Sequence, residues 1–141
     1  MDSRNCLIDK NLLYNIRRKE LEKTMTLIDE FTIQKTFVEW ARKQEFIVLC
    51  FAVPNGFKSN RQNAIMMKRE GLLPGVPDVF CLLKNGKWAI IEFKTERGNV
   101  GPHQKVIIDK LLDHKQAVAV CRSSHEAVLF VKQVYNGEFV V

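Results

Sequence analysis

Two acidic residues and a lysine lie in stretches of sequence that are otherwise apolar. Asp78 precedes the run Val-Phe-Cys-Leu-Leu, and Glu92 and Lys94 lie at the end of the run Trp-Ala-Ile-Ile-Glu-Phe-Lys. Two apolar runs of strand length on either side of an Asn-Gly turn predict a β-hairpin. A charged group in a buried strand is costly unless it is paired or bound to a metal. The pattern therefore predicts a site that binds a cation and uses it for chemistry.

The length of the hairpin loop decides whether the two acids share a face of the sheet. A two-residue loop pairs Asp78 with Phe93, which puts Asp78 and Glu92 on opposite faces because side chains alternate along a strand. A three-residue loop with Gly86 in the left-handed conformation pairs Asp78 with Glu92, and Lys94 follows on the same face. We predict the three-residue loop, or a bulge near Asp78 that restores the same phase.

The order of the elements predicts the fold class. The apolar spacing predicts helices at Asp29–Lys43, at Asn63–Lys68 and from Pro102 to about His114, and strands at Phe46–Val53 and Ala117–Cys121. Asp29 or Thr26 is expected to cap the first of these helices, and the first strand is expected to be an inner strand covered on both faces. A Ser123/Glu126 capping box predicts the start of a last helix. This order predicts an α/β fold, with a mixed central sheet and helices on both faces. Residues 138–141 form either a short tail or an added edge strand.

Length and composition limit the remaining possibilities. A chain of 141 residues predicts one domain at residues 25–141, and residues 1–24 form an extension that is a disordered basic arm, a dimer-forming helix or a helix packed on the core. The sequence contains neither an apolar run long enough to span a bilayer nor a signal peptide, so we expect an intracellular protein. Cys6, Cys50, Cys81 and Cys121 form no Cys-x-x-Cys pair, which predicts reduced thiols rather than a disulfide framework or a zinc site.

Positive charge predicts a polyanionic partner such as nucleic acid. The net charge is +6 and the isoelectric point is near 9.3. Polar and basic candidates for DNA contact lie in the segment that leads to Asp78, namely Asn55, Lys58, Arg61, Lys68 and Arg69. Cations there would hold phosphates beside the acidic site. The alternative is a solvated surface loop whose charge serves solubility.

The residue types match the chemistry of phosphodiester cleavage. Mg²⁺ is commonly held by one or two carboxylates and keeps open water positions, so Asp78 and Glu92 are the candidate ligands. Lys94 is a candidate to orient or deprotonate the attacking water, or to stabilise charge on the phosphate. Glu30 is a candidate further ligand, directly or through a bound water. Gln104 is expected to hydrogen-bond Lys94 or the water.

The arrangement Pro77-Asp78, then Glu92-Phe93-Lys94, resembles the PD-(D/E)xK nuclease signature. Further matching segments are Glu30-x-x-x-Gln34, Pro54-Asn55-Gly56, Gly71-Leu-Leu-Pro-Gly-Val-Pro-Asp78 and Gln104. Together they resemble the VRR-NUC family, the viral replication and repair nucleases, over roughly residues 29–134. The resemblance implies a PD-(D/E)xK nuclease-like fold and a Mg²⁺ or Mn²⁺ site at Asp78, Glu92 and Lys94. It also implies that the backbone carbonyl of Phe93 joins the coordination and that Gln104 belongs to the site.

The resemblance also implies a function. We expect a metal-dependent DNA endonuclease in viral or phage replication and repair, with Glu30 as the acid of the first helix and Glu39 as the alternative. Stand-alone viral members are similar to Holliday-junction resolvases and tend to form dimers, so branched DNA and a homodimer are expected. The alternatives are a catalytically inactive DNA-binding or assembly module, and a nuclease that acts on single-stranded or linear DNA.

Overall fold

The computed structural model describes residues 14–20, 29–54 and 61–140. The elements in these ranges are α1 (residues 14–20), α2 (Glu30–Ala41), β1 (Ile47–Ala52), α3 (Arg61–Arg69), β2 (Val79–Leu83), β3 (Trp88–Phe93), α4 (Pro102–Asp113), β4 (Ala117–Cys121) and α5 (Ser124–Asn136). Every predicted helix and strand between residues 29 and 136 is present, with ends shifted by no more than two residues. No helix in the described ranges has the length and apolar character needed to cross a bilayer.

The strands form one mixed sheet in the order β1-β2-β3-β4. β2 pairs antiparallel with both β1 and β3, whereas β3 and β4 run parallel and are joined through α4. A parallel pair needs a crossover connection, and α4 provides it. The mixed sheet predicted from the order of elements is confirmed.

Helices cover both faces of the sheet. On one face α2 and α5 pack on the strands through a core that includes Phe37, Phe93 and Val131, all fully buried. On the other face α4 packs through Ile108 against Ile90 of β3 and Val118 of β4. β3 is therefore covered on both sides.

The hairpin has the predicted three-residue loop. The Leu83 N–H donates to the carbonyl of Lys87 at 2.9 Å, and Gly86 has a φ of 79°. The left-handed conformation at Gly86 is the one that glycine adopts without steric cost. The resulting register, in which Val79 pairs with Ile91, places Asp78 opposite Glu92.

Helix ends follow the predicted caps with one difference. Asp29 caps α2, since its Oδ1 accepts from the Thr32 N–H at 2.8 Å. Ser123 caps α5 by accepting from the Glu126 N–H at 3.1 Å. The return bond of the expected capping box is shifted, because the Glu126 carboxylate accepts from the Arg122 N–H at 2.6 Å rather than from Ser123.

The prediction that the first strand is an inner strand covered on both faces is wrong. β1 is one of the two edge strands of the described sheet, and its side chains are half exposed at Val48 (53%), Leu49 (52%) and Phe51 (43%). Phe51 instead packs on its own face against the rings of Phe80 and Trp88, with centroids 5.8 and 6.1 Å away. A continuous apolar run does not distinguish an inner strand from an edge strand that carries aromatic neighbours.

The two ends of the chain are described in part. Residues 14–20 are helical and exposed, and the rest of the predicted extension, including Cys6, lies outside the described residues, as does Thr26. The domain boundary at residue 25 stays a prediction. Residues 138–140, which the structure describes, form no strand, which leaves the short tail of the two alternatives. Cys50, Cys81 and Cys121 are free thiols, as predicted.

Candidate active site

Asp78 is held between two neighbouring strands. Its backbone carbonyl accepts from the Val53 N–H at 2.8 Å, which ties it to the end of β1. Its carboxylate Oδ2 accepts from the Phe93 N–H at 2.8 Å, which ties it to β3 beside Glu92. Pro77, immediately before it, is fully buried. The backbone of Asp78 is thus fixed by β1, and its carboxylate is oriented by the backbone of β3.

Glu92 is a buried acid in the middle of the sheet, with 1% of its surface exposed. Its Oε1 accepts from Gln104 Nε2 and lies 3.1 Å from Lys94 Nζ. Its Oε2 is buried and has no hydrogen-bond partner among the described residues. An unsatisfied buried oxygen of an ionisable group costs on the order of 1–3 kcal/mol or more, so this atom needs an explanation.

Lys94 lies directly after β3 and is also buried. Its backbone N–H donates to the Cys121 carbonyl of β4 at 3.0 Å, which continues the parallel pairing one residue further. Its Nζ lies between two carboxylates, 3.1 Å from Glu92 and 3.6 Å from Glu30. Glu30 is the first residue of α2 and is partly exposed. The lysine therefore joins β3, through Glu92, to the start of α2, through Glu30.

Gln104 lies in the first turn of α4 and bridges the helix start to the acid. Its Oε1 accepts from the Gly101 N–H at 2.8 Å, and its Nε2 donates to Glu92. We expected Lys94 or a water as its partner, and the structure gives Glu92 instead. Because the amide oxygen is occupied by the helix cap, the amide nitrogen points to the sheet and fixes the Glu92 carboxylate.

Burial and neighbouring charges shift the pKa of two groups. Burial, and then the charge of Asp78, raises the pKa of Glu92 to about 7, although Lys94 opposes the shift. Burial alone would lower the pKa of Lys94, but the hydrogen bond and charge of Glu92, together with the charges of Glu30 and Asp78, outweigh burial and raise it. The charges of Asp78, Glu30, Glu92 and Lys94 thus influence one another.

The family profile described as the VRR-NUC domain matches residues 16–125 of this sequence, which is most of the chain. The chain belongs to the VRR-NUC family. A solved structure described as a VRR-NUC domain protein superposes with a TM-score of 0.61 and 21% sequence identity, covering 79% of this chain and 90% of that chain. A comparison with curated proteins finds no match. The predicted family and nuclease-like fold are confirmed, and the chain is a nuclease-type domain.

The charge balance of this VRR-NUC site suits a divalent cation. The three carboxylates of Asp78, Glu92 and Glu30 all act on the one ammonium of Lys94, so acids outnumber bases in this group. The orphaned Oε2 of Glu92 lies on the face shared with Asp78. Carboxylate oxygens are the ligands that Mg²⁺ and Mn²⁺ prefer. Asp78 and Glu92 therefore fit a metal.

The structure gives less support to the other predicted metal ligands. Within the described ranges, no three His, Cys, Asp or Glu side chains converge on one point as a preformed metal cluster. Glu30 contacts Lys94, so its role as a ligand, directly or through water, stays a prediction, as does that of the Phe93 carbonyl. Glu39, the alternative acid of the first helix, instead pairs with Lys35 on the exposed side of α2 at 3.9 Å.

Two residues that sequence reasoning passed over shape the VRR-NUC site. Gly75 has a φ of 87°, and a Cβ there would lie 2.5 Å from the backbone C and O of His103 in the first turn of α4. Arg122 donates to three backbone carbonyls of the loop after Lys94. Gly75 lies in the segment from Gly71 to Asp78 that resembles the family, and a glycine there is a signal that the backbone comes close to another segment. Nothing in the sequence around Arg122 signals its role.

The candidate DNA-contacting residues are only partly described. Arg61, Lys68 and Arg69 are exposed on α3. None of the residues of α3, all of which the structure describes, is buried. Asn55 and Lys58, and with them most of the predicted Pro54-Asn55-Gly56 turn, lie outside the described residues. Their contact with DNA stays a prediction.

Proposed function

We propose that this VRR-NUC domain is a metal-dependent DNA endonuclease that hydrolyses phosphodiester bonds. The observation that carries the proposal is a buried Glu92 whose Oε2 has no hydrogen-bond partner among the described residues, opposite Asp78 in the hairpin. Such a pair of acids destabilises the fold through burial and like-charge repulsion. Perturbed acids of this kind are typical of functional sites.

Asp78 and Glu92 are the proposed ligands of Mg²⁺ or Mn²⁺, with the Phe93 carbonyl, and Glu30 directly or through water, as further proposed ligands. When bound, the metal would lower the pKa of a water and neutralise charge on the scissile phosphate. The Phe93 N–H orients the Asp78 carboxylate, and Gln104 orients that of Glu92. Hydrogen bonds thus orient the carboxylates of Asp78 and Glu92 without the ion.

Lys94 is the proposed catalytic amine. Its Nζ is held by Glu92 and Glu30, so the ammonium has a defined position at the edge of the acidic pair. From there it donates hydrogen bonds to a phosphate oxygen or to the attacking water. Burial of its stem limits the conformations of the side chain, which reduces the entropy lost on reaction.

We further propose branched DNA as the substrate and a homodimer as the active form. Each chain supplies one site, and a two-fold dimer would supply the two cuts that a four-way junction requires. The net charge of +6 and the exposed cations of α3 support a DNA partner. The family of viral replication and repair nucleases supports a role in viral or phage DNA metabolism inside the host cell.

A cleavage panel tests the proposal. The protein is incubated with a four-way junction, a flap, a linear duplex and single-stranded DNA, each with Mg²⁺, Mn²⁺ or EDTA. We expect metal-dependent cutting that is strongest on the junction and is lost in Asp78→Asn. Asp109→Asn is the matched control, since Asp109 lies on the exposed side of α4 and pairs there with Lys105 at 3.1 Å.

The panel also separates the alternatives. Cutting in EDTA, or an Asp78→Asn variant as active as the parent, would contradict the metal mechanism. Binding without cutting would favour the assembly module. Cutting confined to linear or single-stranded DNA would overturn junction selectivity while leaving the nuclease intact. Light scattering after size-exclusion chromatography tests the dimer. A monomeric mass for a protein that cuts junctions would exclude a dimer as the active form.

A further inference from the structure

Arg122 holds the loop that follows the proposed catalytic lysine. Its Nη1 donates to the carbonyls of Thr95 at 2.6 Å, Glu96 at 3.0 Å and Gly98 at 2.7 Å. These contacts join the residue after β4 to a loop more than twenty positions earlier in the chain. One guanidinium group thus satisfies most of the backbone acceptors of residues 95–98.

The same loop passes close to the carboxylate of Glu30, the second acid that contacts Lys94. A Cβ at Gly98 would lie 3.4 Å from Oε1 of Glu30 and 3.0 Å from Oγ1 of Thr95. Gly98 also donates its N–H to the Thr95 carbonyl at 3.1 Å, which closes the loop into a turn. The loop is therefore bonded to Arg122 and lies close to Glu30.

The backbone of Arg122 is itself fixed close to Lys94. Cys121, the preceding residue, accepts from the Lys94 N–H at 3.0 Å. The N–H of Arg122 donates to the carboxylate of Glu126 in the first turn of α5 at 2.6 Å. The side chain consequently reaches the loop from a rigid starting point at the end of the sheet.

We infer that Arg122 is a positioning residue that sets the geometry of Lys94 and Glu30 through the loop 95–98. This inference rests on the proposed nuclease function. Nη1 fixes the loop, the loop limits where the Glu30 carboxylate lies, and Glu30 lies 3.6 Å from Lys94 Nζ. A lysine is expected to replace this contact only in part, because its ammonium sits on a more flexible stem, whereas the planar guanidinium holds Nη1 in one orientation.

Kinetics separate this role from direct DNA binding. We expect Arg122→Met to lower kcat about 10- to 100-fold, the size of loss that a misplaced catalytic group produces, with KM for DNA unchanged. Arg122→Lys should recover only part of the rate. Arg42→Met is the control, since Arg42 lies at the opposite end of α2 from Glu30 and carries the same charge. A raised KM with kcat unchanged would show a phosphate contact instead and overturn the inference.

A double-mutant cycle tests the route through Glu30. If Arg122 acts by holding Glu30 against Lys94, Glu30→Gln and Arg122→Met remove the same contribution, and their combined loss of kcat is smaller than the product of the two single losses. Losses that multiply would mean that Arg122 acts independently of Glu30, and the inference would fail.

Hydrogen exchange of the metal-free protein tests the positioning without any cleavage. In Arg122→Met, we expect the Gly98 amide to exchange at least tenfold faster, while the Lys94 amide, which bonds to β4, keeps its rate. Equal acceleration of both amides would indicate general loss of stability and contradict the inference. If the parent cuts no DNA but Arg122→Met still speeds exchange of the Gly98 amide alone, the nuclease proposal is refuted, whereas the role of Arg122 in holding the loop is supported.

Discussion

The hairpin end that carries Asp78, Glu92 and Lys94 differs from helix α3 in how its side chains are held. The three site residues are fixed by backbone hydrogen bonds to β1, β3 and β4 and by Gln104 from α4. α3 exposes its cations and buries no residue. The groups proposed for chemistry are thus held by hydrogen bonds inside the sheet, whereas those proposed to attract phosphate lie on an exposed helix. Bond cleavage needs sub-ångström placement, and electrostatic attraction acts over several ångströms.

Loss of the site lysine should give the largest effect on rate. We expect Lys94→Met to lower kcat about 10³-fold with DNA affinity changed less than threefold, because removal of a preorganised donor costs roughly that much. Single-turnover kinetics measure it. Lys105→Met is the control, because Lys105 is exposed and pairs with Asp109 at 3.1 Å. Equal losses in both variants would contradict a special role for Lys94.

The buried acid should make the metal-free fold less stable at neutral pH. The pKa of Glu92 is raised from 4.5 to about 7, so the folded chain binds more protons than the unfolded chain between these values. The free energy of unfolding therefore falls as pH rises through that window, by about 3 kcal/mol at most.

Urea unfolding in EDTA from pH 4.5 to pH 8 measures this slope. Glu92→Gln should remove most of it, whereas Glu39→Gln, at an exposed position, should leave it unchanged. Added Mg²⁺ should stabilise the parent at pH 8 and not Glu92→Gln. A parent whose stability is flat across this range would show that Glu92 is not a strained acid.

Gly75, in the loop before Asp78, should tolerate no side chain because its backbone lies against the first turn of α4. Gly75→Ala places a Cβ 2.5 Å from the His103 carbonyl group, in addition to the strain of a φ of 87°. Gly71 also has a positive φ, of 101°, but a Cβ there meets nothing within 4 Å. We expect Gly75→Ala to lose about 2 kcal/mol more than Gly71→Ala in thermal or urea unfolding. Equal losses would show that the contact is not tight.

Removal of positive charge from α3 should give the smallest effect, and it should change DNA affinity but not kcat. We expect the triple variant Arg61→Gln, Lys68→Gln, Arg69→Gln to weaken DNA binding about tenfold at moderate salt. The slope of log Kd against log salt concentration should fall by about three if all three cations contact phosphates. The value of kcat at saturating DNA should not change. A changed kcat with unchanged affinity would place α3 in the catalytic machinery.

Much of the site was open to prediction because its residues lie on one hairpin. Alternation along strands, with Gly86 in a three-residue loop, sufficed to place Asp78 opposite Glu92. Local patterns also located α2, α4 and α5, since their caps and apolar spacing are properties of neighbouring residues.

What the sequence left open depends on contacts between distant segments. The edge position of β1 depends on which strands pair, and an apolar run carries no information about that. The donation of Gln104 to Glu92 depends on the cap at Gly101 turning the amide. The reach of Arg122 to residues 95–98 depends on the parallel pairing of β3 and β4.

Crystals grown or soaked with Mn²⁺ and measured for anomalous scattering test the central claim most directly, which is that Asp78 and Glu92 hold a divalent ion. We predict a peak of anomalous density about 2.0–2.4 Å from a carboxylate oxygen of each residue, with Glu92 Oε2 as one of them. The peak should vanish in Glu92→Gln. No peak at these oxygens, at a Mn²⁺ concentration that supports cleavage in solution, would contradict the claim.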